Sequence, residues 1–368
     1  MAPRTSAPPS QARLPDGFAV VLDARTRRLG NAALLGGAPL RLLRLSTKAR
    51  QRLSGTDRLL VTDPTSAALA RALLDAGVAH PRPATDGDDT DSGSTALQSE
   101  VTVVIPVRDR PDGLAALLAT VRGTASDLGV LVVDDGSRDD AAVRTVCERY
   151  NARVVRHRTA GGPARARNTG LAAARTPYVA LLDSDCLPQP GWLPRLRRHL
   201  DDPLVAAVAP RIVAAGAPAD QGRIRTWITA YERVASALDL GPREGPVHPH
   251  GAVPYVPSAA LLVRRQALGG GYDETMHVAE DVDLVWRLVE AGWRVRYEPA
   301  ATVAHDHRTQ PLAWARRRAF YGTGAAPLAA RHAASVAPLV LSPASGLAWA
   351  LLLLRRPWGP IAAAGVLA

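Results

Sequence analysis

The sequence predicts an α/β fold, a mostly parallel sheet with helices on both faces, preceded by a small winged-helix-like α+β module and followed by an apolar helical tail. Three observations carry this. Between residues 101 and 331, strand-like runs alternate with helical ones, the mark of a covered parallel sheet. The strand-like runs, such as "VTVVIPV" and "YVALL", are apolar at consecutive residues, as in strands buried on both sides. Compositional breaks set off the segments on either side of this block, residues 1–100 and 332–368.

The elements follow in order. Residues 1–13, "MAPRTSAPPSQAR", have no apolar run and read as a disordered lead, not a secretory signal. In the module, residues 14–83, "GFAVVLD" and "ALLGGAPLRLLRL" read as strands around the turn "ARTRRLG". Ser46 offers an N-cap to "STKARQRL". "DPTSAALARALLDAG" has apolar residues at helical spacing, capping from Asp63 or Thr65, and a stop at Gly77. Pattern alone also allows a module that merely stabilises the chain. Residues 84–100, "ATDGDDTDSGSTALQSE", are acidic and Gly/Ser-rich and read as a flexible linker. In residues 101–331, the strands "VTVVIPV", "GVLVVDDGS", "ARVVRHR" and "YVALLDSD" enclose the helices "DGLAALLATVRG", "DDAAVRTVCERY" and "GPARARNTGLAAAR". The tail, residues 332–368, carries only Arg355 and Arg356 as charged groups. Its uncharged run from Ala333 to Leu354 is long enough to cross a bilayer, but Pro338 and Pro343 interrupt it. The Arg pair would also sit against the positive-inside tendency, so an interfacial hairpin fits as well as a span.

The formal net charge is +11, almost all of it arginine, with Lys48 the only lysine. That balance favours anionic partners, nucleoside diphosphates or an acidic membrane face. Nucleic acid is disfavoured, because no aromatic residues interleave with the arginines. Cys147 and Cys186 stand far apart in the sequence, which implies no disulfide framework and fits a reducing cytoplasm.

In open parallel sheets, ligands bind outside the carboxyl ends of the strands. Those ends carry Arg108-Asp109, Asp134-Asp135 and Asp183-Ser184-Asp185, so one crevice gathers several acids and at least one arginine. Two carboxylates one residue apart repel unless a cation lies between them, and a hard divalent cation prefers oxygen ligands. Taken singly, Asp183-Ser184-Asp185 and Asp134-Asp135-Gly136-Ser137 are ordinary turns, and Glu280-Asp281 is an ordinary helix start.

Together and in order, "VTVVIPVRDRPDGL", "VLVVDDGSRD", "GGPARARNTGL", "YVALLDSDC" and "GGGYDETMHVAEDVDLVWRLVEAGWRVRYEPAATVAHDHR" resemble the motifs of family 2 glycosyltransferases, whose GT-A fold is Rossmann-like. The resemblance covers about Val101 to Arg308. It implies a UDP-sugar donor bound by Pro106, Arg108, Asp109, Asp135, Arg167 and Asp183. Asp135 would meet the uracil edge, and Arg167, or nearby Arg165, the diphosphate or uracil. It implies a divalent cation, magnesium or manganese, on Asp183, Asp185 and His305, with His307 an alternative to His305. Asp281, beside Glu280, would be the general base of an inverting transfer to a hydroxyl. The residue chemistry agrees: a guanidinium fork suits phosphate, and a helix N-terminus favours the ionised carboxylate that a base requires.

The N-terminal stretches "LPDGFAVVLD", "LRLSTKA" and "ALARALLDAGVAHPRP" resemble the start of the glycosyltransferases of the mycofactocin system and, more loosely, the PqqD-like peptide-binding modules of peptide-modification pathways. That resemblance implies glucose transfer from UDP-glucose to a peptide-derived redox cofactor or its precursor, building a β-linked oligosaccharide. It also implies a precursor peptide or pathway protein as partner at the module, with membrane contact through the tail. Two alternatives stay open: a family 2 transferase acting on a cell-envelope polysaccharide or lipid-linked acceptor, and a degenerate peptide-binding scaffold. The intact Asp-x-Asp and Glu-Asp sequences argue against the scaffold. The Gln-x-x-Arg-Trp sequence of polymerising synthases is absent, and "QPLAWARRRAFYG" is only a loose echo of it.

Overall fold

The computed structural model describes residues 3–10, 12–82, 99–215, 223–306, 310–336 and 343–367. Contacts divide the chain into two units, Met1–Leu328 and Ala329–Ala368. The expected linker falls almost wholly on residues 83–98, outside the described residues.

The module comprises β1 (Ala19–Leu22), β2 (Arg27–Leu29), β3 (Ala33–Gly36), β4 (Arg41–Arg44), α1 (Thr47–Arg52), β5 (Arg58–Leu60), α2 (Pro64–Asp75) and β6 (Ala79–Pro81). Its strands form two antiparallel three-stranded sheets, β5-β1-β6 and β2-β3-β4. Phe18, Val20, Leu34, Leu53, Leu73 and Val78 form its core. Ser46 caps α1 as expected. Of the two caps offered to α2, Asp63 is the one used: its carboxylate accepts from the N–H groups of Thr65 and Ser66, closing a capping box worth about 1 kcal/mol.

The lead departs from the expected disorder. The Arg4 carbonyl accepts from the Gly270 N–H at 2.9 Å, and the Ser6 carbonyl from the Trp293 indole at 2.7 Å. Trp293 is only 2% exposed, so its N–H needs an acceptor that water cannot supply. A segment without an apolar run is thus ordered mainly by its backbone carbonyls, with the Ser6 hydroxyl donating to the Gln266 carbonyl.

The larger part comprises β7 (Val101–Val107), α3 (Pro111–Thr124), β8 (Gly129–Asp134), α4 (Asp140–Arg149), β9 (Arg153–Arg156), α5 (Gly162–Ala173), β10 (Tyr178–Leu182), β11 (Cys186–Pro188), α6 (Trp192–His199), β12 (Val205–Ala214), α7 (Arg223–Ala235), β13 (Gly245–Pro246), β14 (Ala260–Arg264), α8 (Glu280–Glu290), β15 (Arg294–His305), α9 (Pro311–Gly322) and α10 (Ala325–Arg331). The sheet order is β11-β15-β12-β14-β10-β7-β8-β9, with β13 pairing β15. Strands β9, β8, β7 and β10 run parallel, and β12 and β15 run parallel to each other. β14 lies antiparallel between β10 and β12, and β11 and β13 run antiparallel to β15. The expected α/β class with a mostly parallel sheet is therefore the observed one. Val103, Val104 and Ile105 are all fully buried, as a strand covered on both faces requires. α5 reaches the sheet because Gly170 has no side chain; a Cβ there would collide with Val104.

The second unit holds α11 (Pro343–Leu353) and α12 (Gly359–Leu367). Leu353 and Ile361 on them, and Trp358 between them, are exposed. No helix among the described residues is long and apolar enough to cross a membrane. An 11-residue helix is about 16 Å long, against roughly 30 Å of hydrocarbon.

Candidate active site

Strand pairing builds the centre of the site. Asp183, Ser184 and Asp185 follow β10 directly, and β11 then pairs antiparallel with β15, setting Cys186 opposite His305. That register brings the His305 Nε2 to 3.5 Å from the Asp185 Oδ1. The Arg110 guanidinium, leaving the end of β7, stands 3.5 Å from the other oxygen of Asp185 and 3.3 Å from Asp306. Burial alone would push the Asp185 carboxyl up. The hydrogen bond and charge of His305, with Arg110, outweigh it and hold the group down to about 2.

Asp183 faces a different partner. Arg167, on α5 and 4% exposed, donates to the Asp183 Oδ1 at 2.7 Å and to the Glu280 Oε1 at 2.9 Å. Its guanidinium also lies 5.5 Å from the centre of the Tyr272 ring. Burial pushes the Asp183 carboxyl up, with the Asp185 charge adding to the rise, and Arg167 opposes without cancelling it. The fork expected on diphosphate is therefore committed to two carboxylates. Arg165, its alternative, is exposed.

Asp281 and Glu280 open α8 and diverge. Glu280 turns to Arg167, while Asp281 accepts from the Ser258 N–H at 3.3 Å and from the Val282 N–H at 2.8 Å. The next residue after Ser258, Ala259, accepts from the Asp183 N–H at 2.9 Å. One dipeptide thus ties Asp281 and Asp183 to the same rim. The helix start was expected to favour the ionised form of Asp281. Burial first, and the Glu280 charge second, instead push its carboxyl up to about 6, against the pull of Arg167 and the two N–H groups.

Asp135 directly follows β8 and is 4% exposed. Its oxygens accept from His157 at 2.8 Å and from the N–H groups of Gly161 and Gly162 at 2.9 and 2.7 Å. Burial raises its pKa, and these bonds outweigh it, so the net shift is downward. Asp135 thereby anchors the loop entering α5, and most of its acceptor capacity is already taken. Asp109, at positive φ, receives the Arg138 N–H at 2.8 Å and donates its own N–H to Ser137 at 3.0 Å, fastening the β7 and β8 ends together. Arg108 is exposed beside it, and half-buried Pro106 lies within β7 opposite Val133.

Sequence reasoning missed a wall of the site. α9 places Trp314, Arg317, Arg318 and Tyr321 around a cavity of about 50 Å³ that Asp185 and His305 also line. Glu232 of α7 holds that wall, accepting from Trp314 at 2.6 Å and Arg318 at 3.2 Å. Burial pushes the Tyr321 phenol up; Arg317 opposes, and the charges of Asp183, Asp281 and Asp185 all add to the rise. The signal lies in "QPLAWARRRAFYG", but no strand end points to it. Arg110 was missed because the Arg108-Asp109 pair just before it carries the more visible signal.

Among the described residues, no group of three His, Cys, Asp or Glu side chains is arranged to hold a metal ion. The expected trio reduces to Asp185 and His305, with Asp183 turned to Arg167; His307 lies outside the described residues. An ionised carboxylate beside an imidazole still fits a magnesium or manganese ion of the kind that takes one or two protein ligands and completes its shell with substrate phosphate oxygens and water.

An α/β sheet with acids and arginines gathered beyond its strand ends marks a ligand-binding crevice, the place where enzymes of this architecture hold their substrates. The Glycosyl transferase family 2 model matches residues 102–268. The chain is 52% identical over 357 residues to the Pre-mycofactocin glycosyltransferase of Mycobacterium tuberculosis (strain ATCC 25618 / H37Rv), covering 95% of this chain and 71% of that protein. It is 30% identical over 211 residues to the Succinoglycan biosynthesis protein ExoU of Rhizobium meliloti (strain 1021), covering 55% of this chain and 60% of that protein. A mannosyltransferase structure from Pyrobaculum calidifontis aligns with a TM-score of 0.48 at 23% identity, covering 73% of this chain and 74% of that one. The chain belongs to the family 2 glycosyltransferases, and it is a transferase enzyme.

Proposed function

We propose that this enzyme moves a sugar, glucose by the resemblance of its N-terminal stretches, from a UDP-sugar to a hydroxyl of a peptide-derived acceptor with inversion at the anomeric carbon. Support for the acceptor comes from the relative whose name assigns it pre-mycofactocin glycosylation. The observation that carries the chemistry is that adjacent residues, Ser258 and Ala259, tether the Asp281 carboxylate and the Asp183 backbone.

In this reading Asp281 takes the proton from the acceptor hydroxyl, and a carboxyl near 6 is ionised yet basic at neutral pH. Arg167 pairs with Asp183 and Glu280, holding them in one geometry, and its charge partly offsets the rise of Asp281. Asp185 and His305 would hold the divalent cation. When bound, the cation neutralises charge that builds on the departing diphosphate. Arg110 is a second cation on that side, and its fork suits phosphate. Asp135, through the loop it anchors, shapes the seat of the nucleotide base and offers its remaining lone-pair capacity to the uracil edge. Arg108 and Asp109 form its outer lip.

The test is product analysis by mass spectrometry after incubation with UDP-glucose or other nucleotide sugars, with manganese, magnesium or chelator, and with candidate hydroxyl acceptors. Anomeric proton couplings then report the product's configuration. An α-linked product, or full turnover in chelator, would refute the mechanism.

A further inference from the structure

A second polar site lies at the opposite end of the same strands. The N-terminal module and the catalytic sheet enclose a cleft of about 380 Å³, a volume ordinary for small-molecule sites. Strand β15 begins there with Arg294 and Arg296 and ends at His305, so the cleft stands roughly 30 Å of extended chain from the candidate active site.

Four arginines line the cleft: Arg41, Arg71, Arg294 and Arg296. Two have dedicated acids. Arg71 forks onto Asp202 at 2.6 and 2.8 Å, and Arg294 onto Asp75 at 2.8 and 3.0 Å. Arg41 makes one 3.4 Å bond to the Asp75 carbonyl. Arg296 is the exception that matters. It is 4% exposed, its Nε has no hydrogen-bond partner among the described residues, and its one bond is to the His80 Nδ1 at 3.3 Å. The acids near it already serve others: Glu244 pairs with Arg82, and Glu298 with His199. Burial outweighs their attraction and pushes the Arg296 guanidinium down to about 10, still charged at neutral pH. A buried cation with no carboxylate of its own is costly unless a counter-charge arrives.

We propose that this cleft binds an oxyanion-bearing small molecule, a carboxylate or a phosphate, held by Arg296 and Arg41, with Trp293 and Leu74 against its apolar part. The ligand bridges the module to the catalytic sheet and would stabilise their packing by mass action.

The experiment is thermal unfolding of the full chain at matched ionic strength in sodium chloride, with sulfate or hexanoate replacing part of the chloride. Sulfate stands for phosphate-bearing ligands and hexanoate for carboxylates with an apolar chain. At least one should raise the Tm of the parent by a few degrees. Arg296→Met should lose that rise, and Arg41→Met, at an exposed position that leaves the fold intact, should need several-fold more anion for the same shift. A rise with sulfate alone assigns a phosphate group; a rise greater with hexanoate assigns a carboxylate. No rise in the parent, or a rise that persists unchanged in both variants, overturns the proposal.

Discussion

The two ends of β15 handle charge in opposite ways. At His305 the arginines are matched to acids: Arg167 holds Asp183 and Glu280, and Arg110 holds Asp185 and Asp306. At Arg296 the guanidinium is buried and, among the described residues, left without a carboxylate of its own. Cations at the first end pair with carboxylates to which the proposed mechanism gives the chemistry; at the second, the cation itself is the available group. Charge reversal or removal should therefore damage the first end and relieve the second, and this difference can be measured.

The largest effect is expected at Asp185. Asp185→Ala removes the carboxylate held ionised by His305 and Arg110 and, in the proposed mechanism, the seat of the divalent cation. Transfer should fall below detection while circular dichroism remains that of the parent, and chelation should do the same to the unaltered enzyme. A variant retaining a tenth of parental turnover would show that the cation is held elsewhere.

Asp281→Asn comes next. It keeps the shape of the side chain but removes the basic oxygen, so turnover should drop by about 10²–10⁴-fold with donor affinity nearly unchanged. The parent's turnover should climb as pH rises through about 6, because the base acts only when ionised. An Asn variant that preserves that rising limb would move the base to another residue.

Much of the first end was legible in the sequence, and almost none of the second. Asp183, Asp185 and Asp281 stand where a buried strand or a helix begins or ends, and periodicity finds such places. His305 could be named from the motif, but its position depends on a short strand, β11, that no pattern announced. Asp63 and Ser46 were readable as caps because capping is local. The lead was misread because its order rests on carbonyls, which every residue possesses. Arg296 looks like any arginine in an Arg-rich chain; its isolation exists only once the module is packed against the sheet. Local chemistry is written in neighbours, whereas a missing counter-charge is a property of the whole fold.

Arg167→Met sharpens the contrast. It removes the cation paired with both Asp183 and Glu280, and breaking a buried pair from one side typically costs about 3–5 kcal/mol. The Tm should fall clearly, and more steeply above neutral pH than at pH 4, where the orphaned acids can take up protons. Arg296→Met, measured in chloride alone, should leave the Tm level or raise it, since it exchanges an uncompensated buried cation for an apolar side chain of similar reach. Equal losses in the two variants would erase the distinction between the two ends.

The smallest effect concerns the cost of holding Asp281 ready. Its carboxyl stands near 6 in the folded chain, above the ordinary value of 3.8. Below the ordinary value the group is protonated in both folded and unfolded chains and the difference vanishes. Between the two values the unfolded chain releases the proton while the folded chain keeps it, so this group's contribution falls as pH rises. Above about 6 the whole penalty is present, at most about 3 kcal/mol for a shift of this size. Asp281→Asn cannot ionise and should escape it. The variant should therefore unfold at a higher temperature than the parent at pH 8, and the gap should close on acidification to pH 4. A gap independent of pH would mean that Asn stabilises through its hydrogen bonds alone and not by escaping the cost of ionising a buried carboxyl.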